Sequence, residues 1–198
     1  MNLKGRFSKE RQFYFQDPST VEQLSDALLS WVPRTQKEII VVCVGTDRST
    51  GDSLGPLTGT LLHNNPLHSL SVYGTLDEPI HAVNLEEKLT DITSKHPNPY
   101  IIAVDACLGK PKSIGTILTK LEPLKPGAAL NKKLPEVGDI HISGIVNISG
   151  YMEYFVLQNT RLHIVMQIAQ SISNSLQQLD FALANNQTEF IDKTRYSS

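Results

Sequence analysis

From Ile39 to Val44 the chain runs through six consecutive apolar residues, five of them β-branched, and stops abruptly at Gly45. A strand buried on both faces has this pattern, and such strands belong to parallel sheets covered by helices. Tyr100 to Val104 repeats the pattern and ends at Asp105. Shorter apolar stretches at 71–75, 113–121 and 140–148 predict three further strands, the last interrupted by Gly144. Between them the spacing changes to three and four. Val21, Leu24, Leu28 and Trp31 predict a helix that stops before Pro33 and is opened by a Ser19–Glu22 capping box. Residues 54–63 form the next helix, with Pro56 in its first turn. A third helix spans 84–95, with Leu85, Leu89 and Ile92 on one face and Asn84 as its cap. Residues 150–157 read as a helical turn or short helix. Leu162, Val165, Ala169, Ile172, Leu176 and Leu179 mark a long C-terminal helix.

Alternating helices and buried strands predict one α/β domain, a three-layer helix-sheet-helix sandwich with a mainly parallel sheet. Its expected limits are residues 19–183. Residues 1–18 lack a clear period and read as an N-terminal arm, and residues 184–198 as a polar tail that frays. The stretch from Glu122 to Asp139 carries Pro123, Pro126, Gly127, Pro135 and Gly138. A loop of that length in a compact domain is often functional, and here it is expected to gate a cleft or select a substrate.

Composition narrows the range of partners. Of 198 residues, 40% are hydrophobic and 19% charged, enough apolar residue for a packed core. Eighteen Lys and Arg against twenty Asp and Glu give a formal charge of −2 and a pI near 6.3. That balance argues against a general nucleic-acid binder and against attraction to an anionic membrane. Lys4, Arg6, Lys9 and Arg11 cluster, but within the expected arm, where solvated charges are ordinary. Cys43 and Cys107 are too few for a disulfide framework or a structural zinc site and read as reduced, buried thiols. With no signal-like segment at the N-terminus and no apolar run long enough to span a bilayer, a soluble cytoplasmic protein is expected.

In open α/β sheets ligands bind beyond the carboxyl ends of the strands. Two such ends carry a carboxylate: Asp52, in the polar loop 45–53 that leads into a helix, and Asp105, at the end of its strand. If those strands are neighbours, the carboxylates converge. A close pair cannot easily ionise together, so one acts as general base while the other, protonated, donates to a carbonyl. The same two groups can instead hold a divalent metal, or Asp52 can cap its helix while Asp105 accepts from loop amides. Other signatures are weak or missing. Gly45, Gly51 and Gly55 lack the dinucleotide spacing, no G-K-[ST] follows a glycine-rich loop, and no G-x-S-x-G is present. None of the six histidines has a paired metal spacing, and Cys107 has no base beside it in sequence.

The stretch VVCVGTDRSTGDSLGP, followed by YIIAVDACLG, resembles the germination proteases of spore-forming bacteria and, more loosely, the hydrogenase maturation endopeptidases. With GIVNISGYMEYFVLQNTRL, nearly the whole chain is similar to the YyaC-type group of sporulation proteins. In the germination proteases one functional aspartate lies in a T-x-D-x-L-G-P loop, matched by Thr50 to Pro56, and a second in V-D-A, matched by Val104-Asp105-Ala106. The resemblance therefore implies a phosphorylase/hydrolase-like fold with Asp52 and Asp105 as a catalytic pair. The maturation endopeptidases add a histidine and hold nickel. Here Asn147 to Gly150 contains no histidine and His141 lies several residues earlier, so no cofactor is expected. A divalent metal, if held, would use Asp52, Asp105 and His141.

The resemblance and the carboxylate pair together predict a sporulation-associated peptidase located in the forespore or spore interior. Asp47, Asn147 and Glu153 are expected to bind substrate or to support the pair. The expected partner is a peptide or protein, such as a spore protein, with homo-oligomerisation left open. The alternative is a non-catalytic spore protein that uses the fold as a binding or assembly module.

Overall fold

The computed structural model describes residues 9–33, 37–126 and 134–195, with side chains as far as residue 185. A six-stranded sheet lies at its centre: β1 (Glu10–Tyr14), β2 (Ile39–Cys43), β3 (Leu70–Tyr73), β4 (Tyr100–Gly109), β5 (Thr116–Lys120) and β6 (Ile140–Ile148), in the order β1-β5-β6-β4-β2-β3. The four strands β6, β4, β2 and β3 run parallel; β5 pairs antiparallel with β6, and β1 antiparallel with β5, at one edge. Helices α1 (Thr20–Trp31), α2 (Leu54–His63), α3 (Leu85–Lys95), α4 (Glu153–Gln158) and α5 (Leu162–Arg195) complete the fold. The three-layer, mostly parallel α/β architecture is the one expected.

Strand alternation divides the core. Ile39, Val41 and Cys43 of β2 and Ile102 and Val104 of β4 meet α1, α2 and α5. Ile40, Val42 and Ala103 point the other way, onto α3 and a pair formed by Leu124 and Val137. Both faces are covered, which is why these strands are continuous apolar runs rather than alternating ones. Val165, Ala169, Ile172, Leu176 and Leu179 of α5 are buried in the larger layer on the stripe that the periodicity predicts, joined by Ile168, whereas Leu162 at the start of that stripe is exposed.

Several local expectations need correction. Residues 10–14, expected in the arm, form β1: only Phe13 is buried, so an edge strand on β5 leaves almost no apolar alternation to read. The cluster residue Arg11 stacks its guanidinium 5.6 Å over the Trp31 ring, whereas Lys4 and Arg6 lie outside the described residues. Ser19 makes no side-chain cap; its backbone is already helical and its hydroxyl donates to Asp17, whose carboxylate is the stronger acceptor. Asn84 likewise caps nothing. Its amide spans the preceding turn, accepting from the His81 N–H and donating to the Pro79 carbonyl.

Gly144 does not interrupt β6, which is continuous; a Cβ there would run into Leu54 and Ile168, so the glycine permits close helix-on-strand packing. The α5 backbone stays helical past Ala184 to Arg195, because nothing in that stretch is a glycine or proline. Of the long loop, 127–133 lies outside the described residues. Its flanks are a buried backbone pair, with mutual N–H to carbonyl bonds between Leu124 and Val137 of 2.8 and 2.9 Å.

Candidate active site

The parallel register places β2 beside β4, with Cys43 opposite Val104. The residue after each of these begins the site. Val44 still bonds to the sheet, its N–H reaching the Val104 carbonyl at 2.7 Å, and Gly45 then turns the chain away at φ +149°. A Cβ at Gly45 would overlap the Asp52 carbonyl, and one at Gly55 would overlap the Val44 carbonyl. Loop 45–53 therefore folds tightly over the tip of β2 only because these positions carry no side chain. The loop is tied internally by the Thr46 N–H to the Asp52 carbonyl, at 3.2 Å, and externally by the Gly51 N–H to the Leu157 carbonyl, at 2.8 Å.

On β4, Asp105 follows the alternation onto the α3 face of the sheet. Its register partner on β6 is Ser143, and His141 lies two residues before Ser143 on the same face. Asp52, Asp105, His141, Ser143, Glu153 and Arg48 all line one cleft of about 750 Å³. Burial pushes Asp105 up to about 8; its Oδ1 accepts a 2.8 Å bond from the Ala106 N–H, which favours the anion, and the neighbouring Asp52 charge raises it again. Burial also raises Asp52, with the Ser49 hydroxyl acting in the opposite sense. The Asp52 charge thus adds to the effect of burial, and Asp105 is the carboxyl that keeps its proton near neutral pH. The Ala106 bond shows that Asp105 also has part of the backbone-tethered role considered from sequence.

The remaining candidates differ in position. Glu153 opens α4 and lines the cleft, whereas Asp47 is exposed and not part of its lining, between Thr46 and Arg48, which are. Asn147 faces away from the reacting pair. Its amide nitrogen donates to the Val156 carbonyl and to Thr160 Oγ1 at 3.4 and 3.2 Å, which holds the end of α4 onto β6. His141 Nδ1 lies 2.9 Å from the Glu122 carbonyl; a carbonyl can only accept, so Nδ1 is the donor. Among the described residues no three His, Cys, Asp or Glu side chains converge as a metal-ligand set. No chemical step below uses a metal.

Sequence reading alone did not single out Ser143, His81 or Tyr154, which share the cleft. Only the β4–β6 register brings Ser143 to Asp105, and no local pattern encodes register. Cys107, two residues beyond Asp105 on the same face, lines the cleft too, but burial pushes its thiol up to about 12 and Asp105 adds to the effect. That is the opposite of an activated nucleophile. Tyr151 stands 94% exposed and is not part of the lining, whereas Arg48 is.

The solved structure of the [NiFe] hydrogenase maturation protease HycI from Thermococcus kodakarensis KOD1 matches 77% of this chain and 97% of its own, with a TM-score of 0.51 and 14% identity. That likeness concerns the fold alone. The chain belongs to the DUF1256 family, a protein family of unknown function, whose model matches residues 12–175. It is 52% identical over 186 residues to the uncharacterized protein YyaC of Bacillus subtilis (strain 168), covering 91% of each chain. No helix among the described residues is long and apolar enough to cross a membrane.

Proposed function

We propose that this protein is a peptidase in which Asp52 and Asp105 activate water against a peptide bond. The observation that carries the reading is the coupled acid pair in an open cleft, with Asp105 pushed up to about 8 and Asp52 beside it. The ionised Asp52 takes a proton from water while the Asp105 O–H donates to the scissile carbonyl. The hydroxide adds to that carbon, and the tetrahedral adduct collapses with the C–N bond breaking. The proton held by Asp52 passes to the departing amine. The protease-like fold supports this reading, as does the match of Thr50 to Pro56 and Val104 to Ala106 with the aspartate motifs of germination proteases. The same motifs support a substrate among spore proteins and a setting in the cytoplasm of a sporulating cell.

One observation favours a binding module instead. Helix α4 buries none of its residues, and Tyr151, Met152, Tyr154 and Phe155 are all largely exposed beside the cleft. Incubation with a proteome-derived peptide pool in H₂¹⁸O separates the two. A peptidase puts one ¹⁸O into each new carboxyl terminus, and Asp52→Asn and Asp105→Asn each lower the rate by about 10²-fold or more. Absence of cleavage, or undiminished cleavage in both variants, overturns the peptidase reading.

A further inference from the structure

The cleft is not lined by acids alone. Arg48 projects from the turn between Asp47 and the buried Ser49, and it lines the same cavity as Asp52 and Asp105. Lys125, also in the lining, pairs with Glu136 at 3.3 Å. Among the described residues the Arg48 guanidinium has neither an ion pair nor a hydrogen bond; only its backbone N–H is bonded, to Thr46 Oγ1 at 3.3 Å. Its position is nevertheless well defined. The loop that carries it is tied to itself by the Thr46–Asp52 and Ser53–Ser49 backbone bonds and to α4 by the bond from the Gly51 N–H to the Leu157 carbonyl. A Cβ on Gly51 would press into Leu157, so the loop and the end of α4 pack as one rim. Arg48 is thus a free, planar, permanently charged donor set, held four residues before Asp52 at the edge of the cavity.

Acids and cation divide the chemistry of the cleft. A carboxylate on the ligand placed at the Asp52–Asp105 pair would be repelled, whereas the same group at Arg48 would gain two parallel charge-assisted hydrogen bonds. A neutral peptide bond over the acids with a carboxylate at Arg48 therefore satisfies both. Resting on the peptidase reading, we propose that the cleft selects polypeptides bearing a carboxylate beside the bond presented to Asp52 and Asp105, and that Arg48 is the specificity residue that binds it. That carboxylate is either the C-terminus of the chain or an acidic side chain.

Binding, not turnover, tests this. Two pairs of N-acetylated tripeptides serve as probes: Leu-Ala-Ala as free acid and as C-terminal amide, and the amides of Leu-Glu-Ala and Leu-Gln-Ala. Each is titrated into the full-length protein while the Arg48 side-chain N–H resonance and the backbone amides of loop 45–53 are followed by NMR. The expected result is that at least one acid binds about tenfold or more tightly than its neutral twin and moves the Arg48 resonance, and that Arg48→Gln erases the difference with the backbone spectrum otherwise kept. The first pair reports the C-terminus, the second the side chain. Equal binding of both twins, a preference that survives in Arg48→Gln, or no binding by any probe overturns the proposal. Cleavage is read separately, in the H₂¹⁸O incubation: an acid that binds through Arg48 but is left uncut counts against the peptidase reading only, and peptides cut without an Arg48-dependent preference count against this inference only.

Discussion

Burial pushes Asp105 up to about 8, and the charge of Asp52, which lines the same cleft, adds to the rise. In the unfolded chain the same group titrates near its ordinary value of 3.8. Between those limits the folded state holds a proton that the unfolded state has released, so stability falls as pH rises from about 4 to about 8 and levels off above. Asp105→Asn removes this slope, which is at most about 1.4 kcal/mol per pH unit for one proton. Urea melts of both proteins at pH 5 and pH 8.5 should show the wild type losing stability relative to the variant. A wild type that gains stability over that interval would contradict the buried, protonated Asp105.

The same ordering sets the pH profile of hydrolysis. The proposed mechanism needs Asp52 ionised and Asp105 protonated, so the rate should decline above the Asp105 midpoint of about 8. Since the two carboxyls titrate as a pair, the profile reports their joint behaviour. In Asp105→Asn the residual activity should lose its alkaline limb. A rate that keeps climbing to pH 10 would give Asp105 no role as a proton donor.

Far from the cleft, Asp180 of α5 is buried and collects the N–H groups of Ser69 and Leu70 at 2.7 and 2.9 Å, and that of His68 at 2.9 Å. Asp180→Ala strands these donors at the start of β3. The expected loss is about 2–4 kcal/mol, with hydrogen exchange accelerated first at Ser69 and Leu70. Unchanged protection there would show that the turn does not depend on the carboxylate.

Two glycines make a matched comparison. At Gly55 a Cβ would overlap the Val44 carbonyl, so Gly55→Ala must displace α2 from the tip of β2, at a cost of about 1–3 kcal/mol. Gly150, at φ +154°, has open space around it, and Gly150→Ala meets only the backbone penalty. Thermal melts should rank Gly55→Ala well below Gly150→Ala. In the former alone, the Asp105 midpoint should also move, because loop 45–53 shifts with the helix.

Neither thiol should behave as a nucleophile. Burial raises Cys43, and Cys107 is pushed up to about 12 by burial and by Asp105. Iodoacetamide at pH 8 should leave both unmodified in the native protein and alkylate both in urea. Rapid native labelling of Cys107 would show a far more open cleft.

The layers and most of the parallel core were legible because burial on both faces leaves uninterrupted apolar runs at β2 and β4, and because six residues of α5 share one stripe. β1 was not, since an edge strand needs only Phe13 inside. The caps misled for a different reason. Ser19 and Asn84 have the right identities, but Asp17 and the 79–81 backbone compete for their side chains. At the site, Asp52 and Asp105 stood out as carboxylates after buried strands. Ser143 depends on register and Arg48 on the path of a glycine turn, and neither leaves a local pattern. Asn147, polar in an apolar run, drew attention as a site candidate, and its bonds to Val156 and Thr160 are set by the path of α4, which no local pattern gives.

β6 is the last strand in the chain, yet it lies inside the sheet between β4 and β5. Without β6, the pairings leave β2, β3 and β4 as one ribbon and β1 with β5 as another, and no backbone bond among the described residues joins the two. Insertion of β6 joins the ribbons and in the same event brings His141 and Ser143 to Asp105 and draws α4 onto the rim. The cleft is therefore a late product of synthesis. A nascent or truncated chain that ends before Ile140 would expose two open strand edges and lack the wall of the cleft that carries His141 and Ser143.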